Sequence, residues 1–504
     1  MEAEESALAC SRQRMAALVQ VPSAFGLGAD ARIELLETHI SWVLLAGDCA
    51  YKFKKPLRLD FLDFSTLEQR RAACEEELRI NRRTAPELYL DVVALTGCDE
   101  APRLGGDGAV LDWAVRMWRF PADALLSTRA AAGGLRAEHI DALARAVAAL
   151  HGSAAVATTD ESWGRPGPIR QLVRDNLPPL RTRVRGSALE AVLMAVDHWS
   201  EREGERLVPL LESRRATGHV REGHGDLHLG NLIWWCDAPL LFDAIEFDPA
   251  LRWIDVMADA AFLFMDLHAH GLAPLAWRFM NAYLDETGDH AGIDTLAFYA
   301  VYRALVRAKV AALRVQAPGD AHDGEVARYL RLAHALTQPR ERALLIAHGV
   351  SGSGKSSGSQ PLIEARGMVR LRADVERKRL FGLAPDQSSA AVPGGIYTPE
   401  TSARTYAELL NRARTLLDAG YPVLVDATFL KRAHRAPFIA LANERGVPCR
   451  VLVFDAPPDV LRERVRRRAA EGRDASEATV QVLENQLIDL ERPTDDEGAP
   501  VLRL

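Results

Sequence analysis

The sequence predicts a multidomain chain of α+β and α/β class: a β-rich lobe, a larger helical lobe and then a parallel sheet. Three observations predict it. Strand-like runs crowd residues 40–118 around one helical segment. From Arg136 to the 330s the pattern is mostly helical, interrupted from Gly223 to Phe247 by Gly, His and Asp between short apolar runs. From Ala343 onward short apolar runs alternate with helical segments, the pattern of parallel strands joined by crossover helices.

Residues 1–34 are polar and read as a loosely docked N-terminal extension. Residues 35–336 form the first large domain. There Ser41-Trp-Val-Leu-Leu and Ala50-Tyr-Lys-Phe-Lys flank Ala46-Gly47-Asp48, a hairpin signal. Ser65 to Arg83 reads as a helix capped by Ser65, with Leu67, Cys74, Leu78 and Ile80 recurring at helical spacing. Strands follow near Leu90 and Trp113, and long helices near Ala142 and Phe298. Arg165-Pro-Gly-Pro and Pro318-Gly-Asp mark exposed loops. Residues 337–342 read as a linker, and 343–504 as the last domain.

A length of 504 residues gives room for about three domains. Apolar residues at 48% and charged residues at 26% exclude a disordered or fibrous chain. A net charge of −7 argues against extended nucleic-acid binding and against an anionic membrane surface. The 6 cysteines are scattered without a C-x-x-C pair and read as thiols of a reducing compartment. No apolar run approaches the roughly 18–20 residues of a membrane span. The acidic start, broken by Arg, does not read as a signal peptide, so a cytoplasmic protein is expected.

The strongest motif is Gly349-Val-Ser-Gly352-Ser353-Gly354-Lys355-Ser356, a complete G-x-x-x-x-G-K-[ST] loop directly after a strand-like run. Its glycines let backbone N–H groups curl around phosphate oxygens, with Ser353 and Ser357 inside the same cradle. Lys355 is placed to reach the terminal phosphates of ATP, and the Ser356 hydroxyl to ligate Mg²⁺. Gly358 and Pro361 weaken the helix expected to follow, which therefore reads as short or irregular. Two later strands end in carboxylates. Asp374 is a candidate base toward a substrate hydroxyl, and Asp426 a candidate holder of the Mg²⁺ shell. Each Asp is also a natural helix N-cap after a strand. Leu461 to Arg468 is an arginine-dense helix, on which Arg464 and Arg468 share a face and suit a transferring phosphoryl group.

This layout resembles the small P-loop kinases of the zeta-toxin and polynucleotide-kinase type, over about residues 343–495. The matching residues are the phosphate loop, Asp374-Val-Glu-Arg-Lys-Arg, Gly395-Ile-Tyr397, Val425-Asp-Ala-Thr and an arginine lid ending at Asp474-Ala-Ser476. The resemblance implies phosphoryl transfer from ATP to a hydroxyl, with Asp374 as base. Arg377, Lys378 and Arg379 read as opening a helix, where the dipole disfavours cations. That placement predicts an anion beside Asp374, so Arg377 and Lys378 are candidate contacts to an acceptor bearing carboxylate or phosphate. Solvated residues paired with acids are the bland alternative.

The second strong motif is His224-Gly-Asp226-Leu-His228-Leu-Gly-Asn231. A phosphotransferase of kinase-like fold needs an Asp to orient the accepting hydroxyl and an Asn five residues on as a Mg²⁺ ligand. Asp226 and Asn231 have that spacing, and Asp243 ends the next strand, where the second Mg²⁺ ligand falls. Upstream, Lys52 is the candidate phosphate-holding lysine and Glu77 its helix partner, with Lys54 and Lys55 as alternatives to Lys52. A metal site on His224 and His228 is the weaker reading, because a third ligand at usual spacing is not visible. The stretch resembles the aminoglycoside-phosphotransferase and choline-kinase superfamily, over about 35–335. The resemblance implies a bilobal protein-kinase-like fold, followed here by the P-loop NTPase parallel-sheet domain. Two departures stand out: Ala46-Gly47-Asp48 is the turn available to cover phosphates, and Glu246 lies one residue farther from Asp243 than the usual D-x-E.

Together these readings predict a tandem ATP- and Mg²⁺-dependent phosphotransferase acting on small-molecule hydroxyl acceptors. The rival readings are a nucleotide-binding pseudokinase that regulates the C-terminal half, and a C-terminal ATPase switch or toxin-like kinase.

Overall fold

The alternating runs of residues 33–118 fold into a six-stranded antiparallel sheet. Its strands are β1 (Ile33–Glu37), β2 (Ser41–Ala46), β3 (Cys49–Lys54), β4 (Tyr89–Cys98), β5 (Ala101–Leu104) and β6 (Val110–Trp118), in the order β1-β2-β3-β6-β4-β5. This computed structural model describes residues 2–59, 62–314, 321–471 and 475–503. Asp474 and Pro318-Gly-Asp, singled out in the sequence, lie outside the described residues.

The N-terminal extension is not loosely docked. Residues Glu2–Val19 form a helix, α1, whose Met15 and Leu18 are fully buried in one cluster with Trp42 and Leu44. Leu8, Ser11, Met15 and Leu18 fall on one face at three- and four-residue steps, and Ser11 accepts a hydrogen bond from the Trp42 indole at 3.2 Å. Arg14 fixes the helix further, donating to Asp99 at 2.8 Å and to the Leu111 carbonyl at 3.0 Å. A polar composition thus hid a narrow apolar stripe.

Helix α2 (Leu67–Asn81) starts at Thr66 rather than Ser65. Thr66 accepts from the Gln69 N–H while the Gln69 side chain accepts from the Thr66 N–H, a reciprocal cap. Beyond the sheet, β7 (Val220–Glu222) pairs with β10 (Trp253–Asp255), and β8 (Leu232–Trp235) with β9 (Ala238–Leu241). The chain packs as two units. One comprises Met1–Ala142, Ala149–Pro168 and Pro209–Leu263; the other comprises Leu143–Ala148, Ile169–Val208 and Phe264–Leu504.

The second unit includes helices α3 (Leu189–Arg206), α4 (Ala273–Thr287), α5 (Leu296–Arg314) and α6 (Ala321–Leu336). Residues 337–342 join α6 to β11 (Leu344–His348) within this unit. The rest is α7 (Lys355–Arg366), β12 (Val369–Arg372), α8 (Ala373–Arg379), α9 (Pro399–Asp418), β13 (Val423–Asp426), α10 (Arg432–Glu444), β14 (Cys449–Val453), α11 (Pro458–Glu471), α12 (Val480–Ile488) and β15 (Val501–Arg503). The strands form a wholly parallel sheet in the order β12-β13-β11-β14-β15. Every residue of β11 and β13 is buried, as expected of strands covered on both faces. Helix α7 is regular over 12 residues despite Pro361. At Gly358 a Cβ would stand 2.8 Å from the Phe454 ring, so glycine lets the helix pack close against that ring.

Candidate active sites

Strand alternation on β3 puts Lys52 and Lys54 on one face and Lys55 on the other. Glu77, fully buried on α2, meets both of the first two: Lys52 Nζ donates to it at 2.9 Å, and Lys54 Nζ bonds its other oxygen. Lys52 also bonds Asp243, and Lys54 bonds Glu246. Lys55 points away, donating to Glu37 at 2.7 Å and lying 4.3 Å from the Trp42 ring centroid. Of the three lysines, Lys52 is therefore the one beside Asp243. Burial pushes both ammonium groups down, but the facing carboxylates outweigh it and hold Lys52 and Lys54 above the ordinary lysine range. Burial pushes Glu77 up, and its two lysines overcome that to hold it below the ordinary range.

The altered spacing of Glu246 has its counterpart here, since Glu246 partners the second lysine rather than standing beside Asp243. Lys54 is completely buried, with Glu77 and Glu246 as its ionic partners. Lys54→Met leaves two buried carboxylates short of a cation and is expected to destabilise the fold by about 3–5 kcal/mol. Thermal or urea unfolding of the full chain checks this, against Lys55→Met on the opposite face, which is expected to cost far less.

The Gly47 turn does not lie near these lysines. In the β2–β3 register Ala46 pairs with Cys49 at one end and Ser41 with Lys54 at the other. The turn at the lysine end is instead residues 38–40, between β1 and β2, which contains no glycine.

The Asp226 loop is held from several sides. The Asn231 side chain donates to the Asp226 carbonyl at 3.0 Å and to its carboxylate at 2.9 Å. The Phe242 N–H donates to the Asn231 carbonyl at 3.0 Å, tying the loop to the segment that ends at Asp243. Asp243 has φ 62°, an uncommon conformation for a non-glycine residue, and its N–H donates to the Tyr89 hydroxyl at 3.1 Å. Buried Asp259 accepts from the His224 N–H at 2.6 Å and the Gly225 N–H at 2.8 Å. His224 lies within hydrogen-bond reach of the Phe242 carbonyl at 3.0 Å, and His228 Nδ1 accepts from the Gly230 N–H at 3.0 Å. Both histidines thus brace the loop, against the metal-site reading.

At the second centre the phosphate loop, Asp374, Arg377, Asp426, Arg464 and Arg468 line one cavity of about 1110 Å³. Lys355 Nζ donates to the Gly349 carbonyl at 2.8 Å and the Val350 carbonyl at 2.9 Å. Burial pushes its ammonium down, opposed by Asp426 and Asp374. Ser356 Oγ donates to Asp426 at 2.6 Å, which brings together the two groups read as the Mg²⁺ side of the site. Asp374 accepts from Arg377 at 2.7 Å. Burial pushes its carboxyl up, but Arg377 and a hydrogen bond from Ser476 hold it below the ordinary range. Arg464 reaches over the loop to the Gly352 carbonyl at 3.2 Å.

The residues fit a nucleotide phosphate with its metal. Gly349 has φ 153°, and a Cβ there would lie 2.4 Å from the Phe454 carbonyl oxygen, so only glycine builds this cradle. The Ser353 hydroxyl is buried without a hydrogen-bond partner among the described residues, and one terminal nitrogen of Arg468 likewise. Mg²⁺ takes few protein ligands, keeping waters and substrate phosphates for the rest, as one hydroxyl and one carboxylate would allow.

Two parts of the sequence reading change. Helix α8 ends at Arg379, so Arg377, Lys378 and Arg379 occupy its last turn, where the dipole favours cations. The electrostatic argument for an anion at that point therefore falls. Lys378 is not on the cavity wall: it is buried, donating to the Pro385 carbonyl at 3.1 Å and pairing with Glu477 at 3.2 Å. Arg377 does line the wall, 4.9 Å from the Tyr397 ring centroid. The sequence reading missed Tyr406 and His434, which stack at 4.4 Å on the same wall, and Gln486, which accepts from the Ser351 N–H at 2.7 Å.

Comparison with known proteins agrees with this layout. Residues 344–493 match the family described as AAA domain. Uncharacterized protein Rv2004c of Mycobacterium tuberculosis is 30% identical over 445 residues, covering 88% of each chain, and an uncharacterized protein of Mycobacterium bovis matches to the same extent. The chain belongs to the family of these mycobacterial proteins. Among solved structures, a choline/ethanolamine kinase family protein from Mesorhizobium loti is 14% identical, covering 64% of this chain and 94% of its own, with a TM-score of 0.40. A gluconokinase from Sinorhizobium meliloti is 23% identical, covering 32% of this chain and 83% of its own, with a TM-score of 0.24. In this chain the matched residues 344–493 hold the phosphate loop and most of the parallel sheet. Among the described residues no helix is long and apolar enough to cross a membrane.

Proposed function

We propose that the chain is a tandem ATP-dependent phosphotransferase whose two centres each phosphorylate a hydroxyl of a small molecule. The observation that carries this reading is the cavity of the second centre, where a phosphate loop, a Ser356–Asp426 pair and a carboxylate just past a strand end meet. In each centre the acceptor oxygen bonds to the γ-phosphorus as the bond from that phosphorus to the β–γ bridging oxygen breaks. Asp374 in one centre and Asp226 in the other take the hydroxyl proton. Lys355, Arg464 and Arg468 hold and neutralise the phosphoryl oxygens in the second centre, and Lys52, oriented by Glu77, does so in the first. Mg²⁺ would supply positive charge to the phosphate oxygens; Ser356 with Asp426, and Asn231 with Asp243, are the residues that would hold it. At the second acceptor site Arg377, paired with Asp374, and Arg372 line the wall, and the acceptor we propose there is a small hydroxyl compound.

The test is ATP consumption by the full chain against a panel of hydroxyl metabolites and nucleotides, with each centre disabled in turn by Asp226→Asn or Lys355→Ala. Two acceptor activities, each lost in one variant only, support the tandem reading. A single activity insensitive to Asp226→Asn makes the first centre a regulatory nucleotide-binding module, and activity surviving both substitutions overturns the reading.

A further inference from the structure

Asn281 on α4 takes the place of a missing strand. Its side chain, 2% exposed, donates to the Met368 carbonyl at 2.9 Å and accepts from the Arg370 N–H at 2.7 Å. Strand β12 is the edge of the parallel sheet, with β13 on its inner side only. Its outer backbone groups would otherwise lack a neighbour, and a primary amide carries the donor and acceptor that such an edge demands. One turn along α4, Asp285 pairs with Arg370 at 3.6 Å and Arg372 at 3.4 Å, and its carbonyl accepts from Arg379 at 2.5 Å. The segment so held, residues 368–379, is the one that carries Asp374. Neither Asn281 nor Asp285 lines the cavity, whereas Arg372 does.

We infer that Asn281 and Asp285 are positioning residues for the second centre. They fix β12 and the start of α8, and through them the placement of Asp374 against the phosphate loop. Asp285 also offsets the Arg372 charge, one of those that hold Asp374 below the ordinary range. A helix that the sequence assigns to the first domain therefore completes the second domain's catalytic sheet. The inference rests on the phosphotransferase reading of that centre.

The test uses the full chain carrying Asp226→Asn, with Mg-ATP as the probe and water as the acceptor of the phosphoryl group. Two near-isosteric variants separate positioning from packing: Asn281→Leu removes both edge hydrogen bonds, and Asp285→Asn removes the charge. Both are expected to lower kcat for ATP hydrolysis on the order of 10- to 100-fold, the scale of a misplaced catalytic group, with KM for ATP within about twofold. In Asp285→Asn the acid limb of the kcat–pH profile is expected to move to lower pH, because the Arg372 charge that already lowers Asp374 is no longer offset by a carboxylate. Hydrogen exchange is expected to show the Arg370 amide losing protection in Asn281→Leu. Unchanged kcat in folded variants, or kcat and KM changing together with an unmoved pH profile, overturns the inference. If Asn281→Leu does not fold, Asp285→Asn decides it alone. Lys355→Ala is the control: if it hydrolyses ATP as fast as its parent, the phosphotransferase reading of the centre fails first.

Discussion

Lys355→Ala is expected to cut phosphoryl transfer at the second centre by about 10²–10³-fold, the scale of losing one pre-aimed donor to developing charge. The argument is geometric. Lys355 opens α7 at the end of the phosphate loop, and its ammonium lies on the Gly349 and Val350 carbonyls, within the cavity that holds Asp374 and Asp426. Among the described residues no other lysine lines that cavity, and Arg464 and Arg468 enter it from α11, on a different element. Loss of Lys355 therefore removes the cation built into the loop itself while the glycine cradle remains. The fold is expected to survive, because two hydrogen bonds to loop carbonyls contribute only about 1 kcal/mol each. The measurement is calorimetric titration of Mg-ATP into the full chain alongside acceptor-dependent ATP turnover. Loss of one class of ATP site with an unchanged circular dichroism spectrum is the expected result. Two classes retained at parental affinity would show that Lys355 does not grip nucleotide.

The second centre was more legible in sequence than the first, for a physical reason. A phosphate loop is local: Gly349 to Ser356 are consecutive, and the strand before them is a plain apolar run. The carboxylates at strand ends, Asp374 and Asp426, are also local signals, and the parallel register of β12, β13 and β11 brings them to one edge. What sequence could not give was direction at short range. Arg377 and Lys378 are neighbours, yet one faces the cavity and the other is buried against Glu477. Their location on α8 depends on where a seven-residue helix starts and stops, and the sequence placed them in its first turn rather than its last.

In the first centre the catalytic loop was legible and its supports were not. Asp259 anchors His224 and Gly225 from 35 and 34 residues away, a separation at which no spacing rule operates. The role of Lys54 was hidden likewise, since its partner Glu246 lies 192 residues on. The strand period did predict that Lys52 and Lys54 share a face; it could not say that a single glutamate would serve both. The N-terminal helix failed for another reason. Among its described side chains the buried side is Ser11, Met15 and Leu18 with half-buried Leu8 and Val19, too thin an apolar stripe to stand out from a charged background.

Asp226→Asn is expected to reduce phosphoryl transfer at the first centre by about 10²–10⁴-fold while leaving its ATP affinity nearly unchanged. On the proposed reading the carboxylate acts on the acceptor hydroxyl. It lies in a loop whose backbone is fixed by Asp259 and whose own oxygen accepts the Asn231 amide at 2.9 Å. Lys52, Glu77 and Asp243, the groups proposed for the phosphate side, are joined to one another through the Lys52 ammonium. An amide in place of the carboxylate keeps size and shape but cannot take the hydroxyl proton. It also faces the Asn231 amide with one acceptor oxygen rather than two, which a flip of the new side chain satisfies. The loop is therefore expected to keep its conformation, and the loss to appear in kcat rather than in KM for ATP. The measurement is acceptor-dependent ADP formation by a chain also carrying Lys355→Ala, so that the second centre is silent. A residual rate near that of the Lys355→Ala parent would remove Asp226 from the chemistry and leave the first module as a nucleotide-binding regulator. A parallel loss of ATP affinity would instead place Asp226 among the groups that hold the phosphates and their metal.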